Sequence, residues 1–167
     1  MRETPGDLQQ LQELLDASIE RAGKFLRSSF QMPERSLWAA QLAGVLDGHP
    51  SVALATTTAK GEPRVAPIDA LFYRGFFHVP TVAASARARH VSKRPAVSLT
   101  YYEGNDLAVI VHGRAVALGP DNPSFAELDA LQREHGESPS AWGEGIFLRV
   151  EADVLYTYAS DPRRYPG

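Results

Sequence analysis

Residues 51–117 decide the fold of this chain, and they read SVALATTTAKGEPRVAPIDALFYRGFFHVPTVAASARARHVSKRPAVSLTYYEGNDLAVIVHGRAVA. Within them, the segments rich in β-branched, aromatic and other apolar residues predict strands at 51–58, 63–73, 76–79, 96–103 and 107–117. Glycine-containing turns join the first three of these strands, and another joins the last two. Between the two groups, residues 83–93 are rich in alanine and cations, which predicts a short helix.

A closed or nearly closed barrel is the simplest fold for such an order, because it leaves few open strand edges. The segment 107–117 is long enough to bend around the barrel, with the bend expected at Gly113. Residues 146–158 alternate and predict a last strand. We therefore predict a mainly β fold with flanking helices and about six strands.

Helices are predicted on both sides of residues 51–117. Apolar residues recur at helical spacing over residues 7–29, and further helices are expected at 33–46 and 123–135. The first helix is expected to bury a stripe formed by Leu8, Leu11, Leu14, Leu15, Ile19, Ala22, Phe25 and Leu26. The second is expected to turn Leu37, Trp38, Leu42 and Val45 inward. Residues 1–48 are thus a predicted helical extension packing on a barrel of residues 49–160, with a tail at 161–167.

Composition limits the possible functions. The 167 residues carry a formal net charge of −3, which does not suggest bulk nucleic-acid binding. No apolar run reaches membrane-spanning length, and the first six residues lack a signal-peptide pattern, so we expect a cytoplasmic protein that does not bind membranes. The absence of cysteine excludes disulfides and thiolate chemistry. Any redox chemistry must therefore come from a bound cofactor.

Motifs for other kinds of chemistry are missing. The five histidines never pair at the spacing of a typical zinc site, so no metal site is predicted. There is no nucleophile elbow, phosphate-loop lysine motif or dinucleotide-binding glycine fingerprint, so hydrolase, kinase and classical nicotinamide-binding functions lack support. No side chain is identifiable from the sequence as a catalytic acid or base.

Four segments carry a family resemblance: residues 54–56, residues 63–67, residues 85–87 followed by Val91 and residues 94–99, and residues 112–115. In this order they resemble the pyridoxamine 5′-phosphate oxidase-like superfamily of flavin and deazaflavin oxidoreductases. The resemblance implies a split β-barrel that binds FMN, with the deazaflavin F-420 as an alternative and haem as a less favoured one. It also implies a homodimer with the cofactor at the subunit interface, acting on a small organic molecule.

The resemblance also implies which residues bind the cofactor. The strand along the flavin ring and ribityl chain is implied to contribute Arg64, Val65, Ala66, Pro67, Ile68 and Asp69. Around the phosphate, the implied groups are Thr81, Ser85 and Arg87, with possible help from Arg64 or Arg89. Hydroxyl groups, amide donors and a cation are the groups that a phosphate needs. Trp142 is implied either to lie over the flavin of the neighbouring subunit or to seal a helix against the barrel.

The chain departs from the family pattern at three places. Ala86 stands where the phosphate site often carries a further cation, and Ala108 stands where the authentic oxidases have a flavin-contacting glutamine. Residues 146–167 hold no counterpart of the arginine and histidine motif that binds their substrate. The chain is therefore not expected to be an authentic pyridoxamine phosphate oxidase.

Several residues of the implied cofactor site also have a purely structural explanation. The cations of residues 87–94 are equally typical of a solvated helix face, and Arg64 of an edge strand. Ser85 is also a plausible helix N-cap, and Asp69 a salt-bridge partner. Two functions remain open: an oxidoreductase that transfers hydride or electrons, and a non-catalytic flavin or haem carrier or sensor with the same fold.

Overall fold

Seven antiparallel strands form one curled sheet in this computed structural model, which describes residues 2–167. The strands are β1 (Ser51–Thr57), β2 (Pro63–Asp69), β3 (Leu71–Tyr73), β4 (Phe76–Val82), β5 (Ala96–Glu103), β6 (Leu107–Leu118) and β7 (Gly145–Ala159). Their order across the sheet is β2-β1-β5-β6-β7-β4-β3. Met1, the first residue of the predicted helical extension, lies outside the described residues.

The sheet has seven strands because the predicted strand 63–73 is two strands. The fully buried Ala70 separates them, and its N–H donates to the Pro50 carbonyl rather than to a neighbouring strand. Since β2 and β3 are the two edges of the sheet, Ala70 carries the chain from one edge to the other. This one break accounts for seven strands where about six were expected, and the predicted split-barrel architecture is confirmed.

Five α-helices accompany the sheet: α1 (Pro5–Arg21), α2 (Lys24–Phe30), α3 (Ala39–Val45), α4 (Ala86–Lys93) and α5 (Phe125–Arg133). Short 3₁₀ helices occupy Pro139–Trp142 and Pro162–Arg164. None of the helices in residues 2–167 has the length and apolarity needed to cross a membrane.

The predicted helix 7–29 is broken in two. Ala22 and Gly23 are extended, and the Arg27 guanidinium donates to the carbonyls of Ile19, Glu20 and Ala22 at the end of α1. The break turns Phe25 away from the core, and this residue is 86% exposed to solvent. The prediction that Phe25 belongs to the buried stripe was therefore wrong.

The predicted helix 33–46 is also shorter, since α3 begins only at Ala39. Trp38 is its N-cap residue, and the Trp38 N–H donates to the Gln41 side chain over 2.9 Å. An extended N-cap residue does not share the helical face of the residues that follow it. Trp38 is 67% exposed, which corrects the expectation that it points inward.

The amino-terminal helices and the sheet share one core. Leu11 and Leu15 of α1 and Leu42 of α3 lie in the same buried cluster as strand residues from β1 and β4 to β7. Hydrogen bonds between backbone and buried hydroxyls reinforce this packing: the Leu155 N–H donates to Ser18 Oγ over 2.9 Å, and the Leu37 N–H to Thr157 Oγ1 over 2.8 Å. The helices thus cover the barrel rather than standing apart from it.

The bend expected at Gly113 is confirmed as a shift in the pairing of β6 with β7. His112 pairs with Val154 and Gly113 with Ala152, which leaves Asp153 as an extra residue on β7. A Cβ atom placed on Gly113 would lie 2.0 Å from the Glu151 carbonyl oxygen. Only glycine permits this close approach of the two backbones.

Gly113→Ala is expected to lower the free energy of unfolding by at least about 2 kcal/mol, because backbone atoms must move to admit the methyl group. Urea unfolding followed by circular dichroism measures the loss. Gly119→Ala is the matched control, since nothing lies within 4 Å of a Cβ atom there. Equal stability of the two variants would contradict the close approach at Gly113.

His78 is a buried histidine of β4 that pairs across the ladder with Arg149. Within residues 2–167, its Nδ1 has no hydrogen-bond partner. Burial, with a smaller contribution from the positive charge of Arg149, lowers the pKa of His78 from 6.5 to about 3. The native protein therefore holds this ring neutral at pH values where the unfolded chain protonates it.

The sign of the effect on stability follows from proton binding. Below about pH 6.5 the unfolded state binds a proton that native His78 does not, so stability falls by about 1.4 kcal/mol per pH unit until the native ring titrates. His78→Leu is expected to remove about 2 kcal/mol of the stability difference between pH 6.5 and pH 5. Urea unfolding of both proteins at the two pH values measures their free energies of unfolding. An equal change in both proteins between the two pH values would contradict the lowered pKa of His78.

Candidate functional site

A cleft of about 320 Å³ lies between the β1–β2 hairpin and helix α4. The hairpin side carries apolar side chains with two threonine hydroxyls and a cation, and the helix side carries a methyl group, a cation and an imidazole. The lining residues are Leu54, Thr56, Thr58, Arg64, Val65, Ala66, Ala86, Arg87 and His90. Four residues of the implied cofactor site, Arg64, Val65, Ala66 and Arg87, meet in this cleft.

The strand register explains why the hairpin residues meet. Antiparallel pairing sets Thr56 opposite Arg64 and Leu54 opposite Ala66, so these four side chains share one face of the sheet. Leu54 and Thr56 are buried, and Ala53 and Ala55 alternate with them on the other face. The hairpin therefore presents a small apolar surface next to a cation.

Helix α4 supplies the opposite wall of the cleft. It begins after Ser85, whose Oγ accepts from the Ala88 N–H over 3.2 Å, so Ser85 is the N-cap that its position suggested. Ala86, Arg87 and His90 face the cleft because they are three and four residues apart, which places them on one helix face. The helix occupies residues 86–93 rather than the predicted 83–93.

Arg87 is the cation best placed to bind an anion. It is half-buried, and within residues 2–167 it has neither an ion-pair partner nor a hydrogen-bond acceptor. Arg64, at the mouth of the cleft, is instead paired with Glu62 over 2.9 Å. An anion that binds Arg87 displaces no protein contact, whereas one that binds Arg64 must replace Glu62.

The remaining cations of this region contact backbone or solvent. Arg89 donates to the Ala84 carbonyl, and Arg94 donates to the Ala59 carbonyl over 2.9 Å. Lys93 lies on the exposed side of α4. The lining of the cleft includes none of these three cations. The expectation that Arg89 helps to bind the phosphate therefore has no geometric support.

Sequence reasoning missed His90, which it considered only as a possible metal ligand. His90 lines the cleft three residues after Arg87, and its Nδ1 lies 2.8 Å from the Oγ1 of buried Thr56. The helical spacing of Arg87 and His90 was the available signal. Thr56 lies in a strand segment of the family resemblance, which implies no role in the site for it.

Two of the implied phosphate ligands lie beside the cleft rather than in its lining. The hydroxyl of buried Thr81 donates to Ser85 Oγ over 3.1 Å. Both hydroxyls thus organise the turn from β4 into α4. Their contact with a cofactor stays a prediction.

The rest of β2 runs along the edge of the sheet beyond the cleft. Pro67 and Asp69 are exposed, and Ile68 is half-buried and packs against the core. Asp69 has no ion-pair partner within residues 2–167, so the salt bridge considered for it is not formed there. Contact of these three residues with a cofactor is likewise a prediction.

Trp142 lies away from the cleft of its own chain. It ends the 3₁₀ helix Pro139–Trp142, and its Nε1 donates to Glu137 over 3.1 Å. Buried Asp129 of α5 accepts from the Ser140 N–H over 2.9 Å and holds this helix in place. Trp142 can reach a cleft of this kind only on another subunit, which stays a prediction.

A shallow apolar depression, also of about 320 Å³, lies on the opposite face of the hairpin. Its lining is Ala53, Ala55, Val65, Ser98, Leu99, Thr100, Ile110 and His112. Val65 lines both the cleft and the depression, so edge strand β2 separates them. In residues 2–167 there is no group of three or more His, Asp or Glu side chains arranged to hold a metal ion.

Solved structures with the same fold include a conserved hypothetical protein from Mycobacterium tuberculosis, with 16% identity and a TM-score of 0.66 over 81% of this chain and 92% of that one. An F-420 reductase aligns with 18% identity and a TM-score of 0.55 over 68% of this chain and 94% of its own. A pyridoxamine 5′-phosphate oxidase-related, FMN-binding protein from Nostoc punctiforme aligns with 14% identity and a TM-score of 0.51, covering 71% and 78%. At these identities the likeness establishes the fold.

Sequence comparison establishes the family. No curated protein matches the chain significantly. The family model described as pyridoxamine 5′-phosphate oxidase matches residues 38–157, which include the whole sheet except the last two residues of β7. The chain therefore belongs to the pyridoxamine 5′-phosphate oxidase family of split β-barrels.

Proposed function

We propose that the cleft binds a flavin nucleotide, with FMN favoured, and that the protein is an oxidoreductase acting on a small organic molecule. The observation that carries this proposal is Arg87, a half-buried cation without a protein partner in residues 2–167, beside an apolar strip. A phosphate needs such a cation, and a flavin ring needs such a strip.

The residues of the cleft fit the two ends of this cofactor. Arg87 would bind the phosphate, while Leu54, Val65 and Ala66 would contact the apolar ring. The bound flavin would supply the hydride and electron chemistry, and the protein would orient the ring and exclude water. This division of labour agrees with a cleft in which no carboxylate is among the lining residues.

The cations around the cleft favour FMN over the deazaflavin. The glutamate tail of F-420 would need a basic groove leading away from the phosphate. Glu62 offsets the charge of Arg64, and Arg94 is bonded to the Ala59 carbonyl outside the cleft lining, so neither extends the charge of Arg87 outward. F-420 remains the alternative cofactor because an F-420 reductase has the same fold.

The depression on the other face of the hairpin supports a homodimer. Val65, in the depression, is 70% exposed, and the rest of its lining consists of alanine, leucine, isoleucine and hydroxyl side chains together with His112. We propose that a second copy of the chain covers this face. Because Val65 also lines the cleft, the cofactor would then lie at the edge of the dimer interface, where Trp142 of the second copy is the proposed contact.

The non-catalytic alternative is a flavin or haem carrier or sensor with the same fold. Absorption spectra of the purified protein with FMN, F-420 or haem would identify the ligand. Turnover of a bound and reduced flavin with nitro or unsaturated acceptors would then separate an enzyme from a carrier. The cytoplasm is the proposed compartment.

Arg87→Glu is expected to weaken FMN binding at least a hundredfold while the protein stays folded, because it inverts the charge that meets the phosphate. Quenching of flavin fluorescence measures binding, and circular dichroism measures folding. Lys93→Glu makes the same charge change on the exposed side of α4 and is expected to leave binding within about twofold. Equal affinities of the two variants would overturn the phosphate assignment.

Ile110→Lys places a charge in the centre of the proposed dimer face and is expected to give monomers in light scattering after size exclusion. Val116→Lys is the control, since it adds the same charge six residues further along β6, about 20 Å away. A monomeric wild-type protein, or an Ile110→Lys variant that stays dimeric, would count against the interface.

A further inference from the structure

We propose that His90, oriented by Thr56, is a second phosphate-binding side chain of the cleft and acts together with Arg87. This inference rests on the proposed function, because it adds a ligand to the same anion site. It assigns binding to a residue that the family resemblance did not place in the site. Thr56 is assigned the role of a positioning residue.

The position of His90 supports direct contact with the ligand. His90 and Arg87 are three residues apart on α4, so their side chains are neighbours on the helix face that lines the cleft. Both residues are half-buried, which lowers the competition from water for an anion between them. An anion bound by Arg87 therefore lies within the reach of the imidazole.

The hydrogen bond to Thr56 fixes how the ring meets a ligand. Thr56 is only 5% exposed, and its Oγ1 lies 2.8 Å from His90 Nδ1. With Nδ1 engaged, Nε2 is the ring nitrogen left for a ligand, and within residues 2–167 it has no partner. In the tautomer in which the Thr56 hydroxyl donates to Nδ1, the Nε2–H is a donor aimed away from the strand, and the ring presents it without a further loss of side-chain freedom.

Ala86 explains why a donor from the next turn of α4 is useful in this cleft. Of the three α4 residues that line the cleft, Ala86 offers only a methyl group, so the first turn of the helix supplies one cation, Arg87. His90 lies one helical turn further on and on the same face, since four residues separate it from Ala86. An imidazole there supplies the nitrogen donor that the alanine lacks, from the next turn of the same helix.

Titrations with FMN and with riboflavin test the proposal, because the two ligands differ only in the phosphate. His90→Ala is expected to weaken FMN binding about tenfold and riboflavin binding less than twofold. His90→Gln keeps an N–H donor and is expected to recover part of the loss. Thr56→Val removes the hydroxyl with little change of shape and is expected to give a smaller loss, again confined to FMN. Lys93→Ala is the control for removing a side chain from α4.

Nitrogen NMR of the histidine rings gives a second readout that a purely structural role would not move. Inorganic phosphate is expected to shift the His90 Nε2 resonance of the wild-type protein, and Arg87→Glu is expected to abolish that shift. Equal losses for FMN and riboflavin in His90→Ala, or no loss for either, would overturn the role of His90. If the wild-type protein bound neither flavin, the proposed function would fail, and the phosphate titration would still decide whether His90 binds an anion.

Discussion

One residue, Ala70, joins the two edge strands of the sheet, and this short connection determines the architecture. The edges β2 and β3 are consecutive in the chain, so their ends lie only a few ångströms apart. A sheet of seven strands can meet that condition only by curling until its edges approach each other. The interior then becomes the core that α1 and α3 cover, and the β1–β2 hairpin is left at the rim, where α4 closes one side of the cleft.

Local patterns predicted most of the fold. The turns at Gly61 and Gly75 and the bend at Gly113 follow from conformations or close approaches that only glycine tolerates well, so the sequence marks them directly. The break at Ala70 has no such mark, because alanine fits a strand as well as a corner and only the closure of the sheet decides between them. The exposure of Trp38 could not be predicted from local patterns either, because it depends on the residue at which α3 begins.

Local patterns also predicted part of the candidate site, and the part that depends on packing between distant segments was missed. Arg87 and residues 64–66 belong to segments with recognisable order, and they meet in the cleft. The pair of Thr56 and His90 joins residues 34 positions apart, and no sequence pattern links the two. Such a contact arises from the packing of α4 on β1, which a single sequence does not specify. The polar contacts that complete a site are therefore harder to predict than its strands.

The hydrogen bond between α1 and β7 points to a consequence for how the chain folds. Ser18 and Leu155 are separated by 137 positions, and the core that they border needs both elements. Contacts between such distant parts of a chain form late and slow the folding of a domain. While a ribosome is still making the protein, Leu11 and Leu15 have no finished barrel to pack against. The apolar face of α1 therefore stays open to chaperones or to aggregation until β7 has emerged.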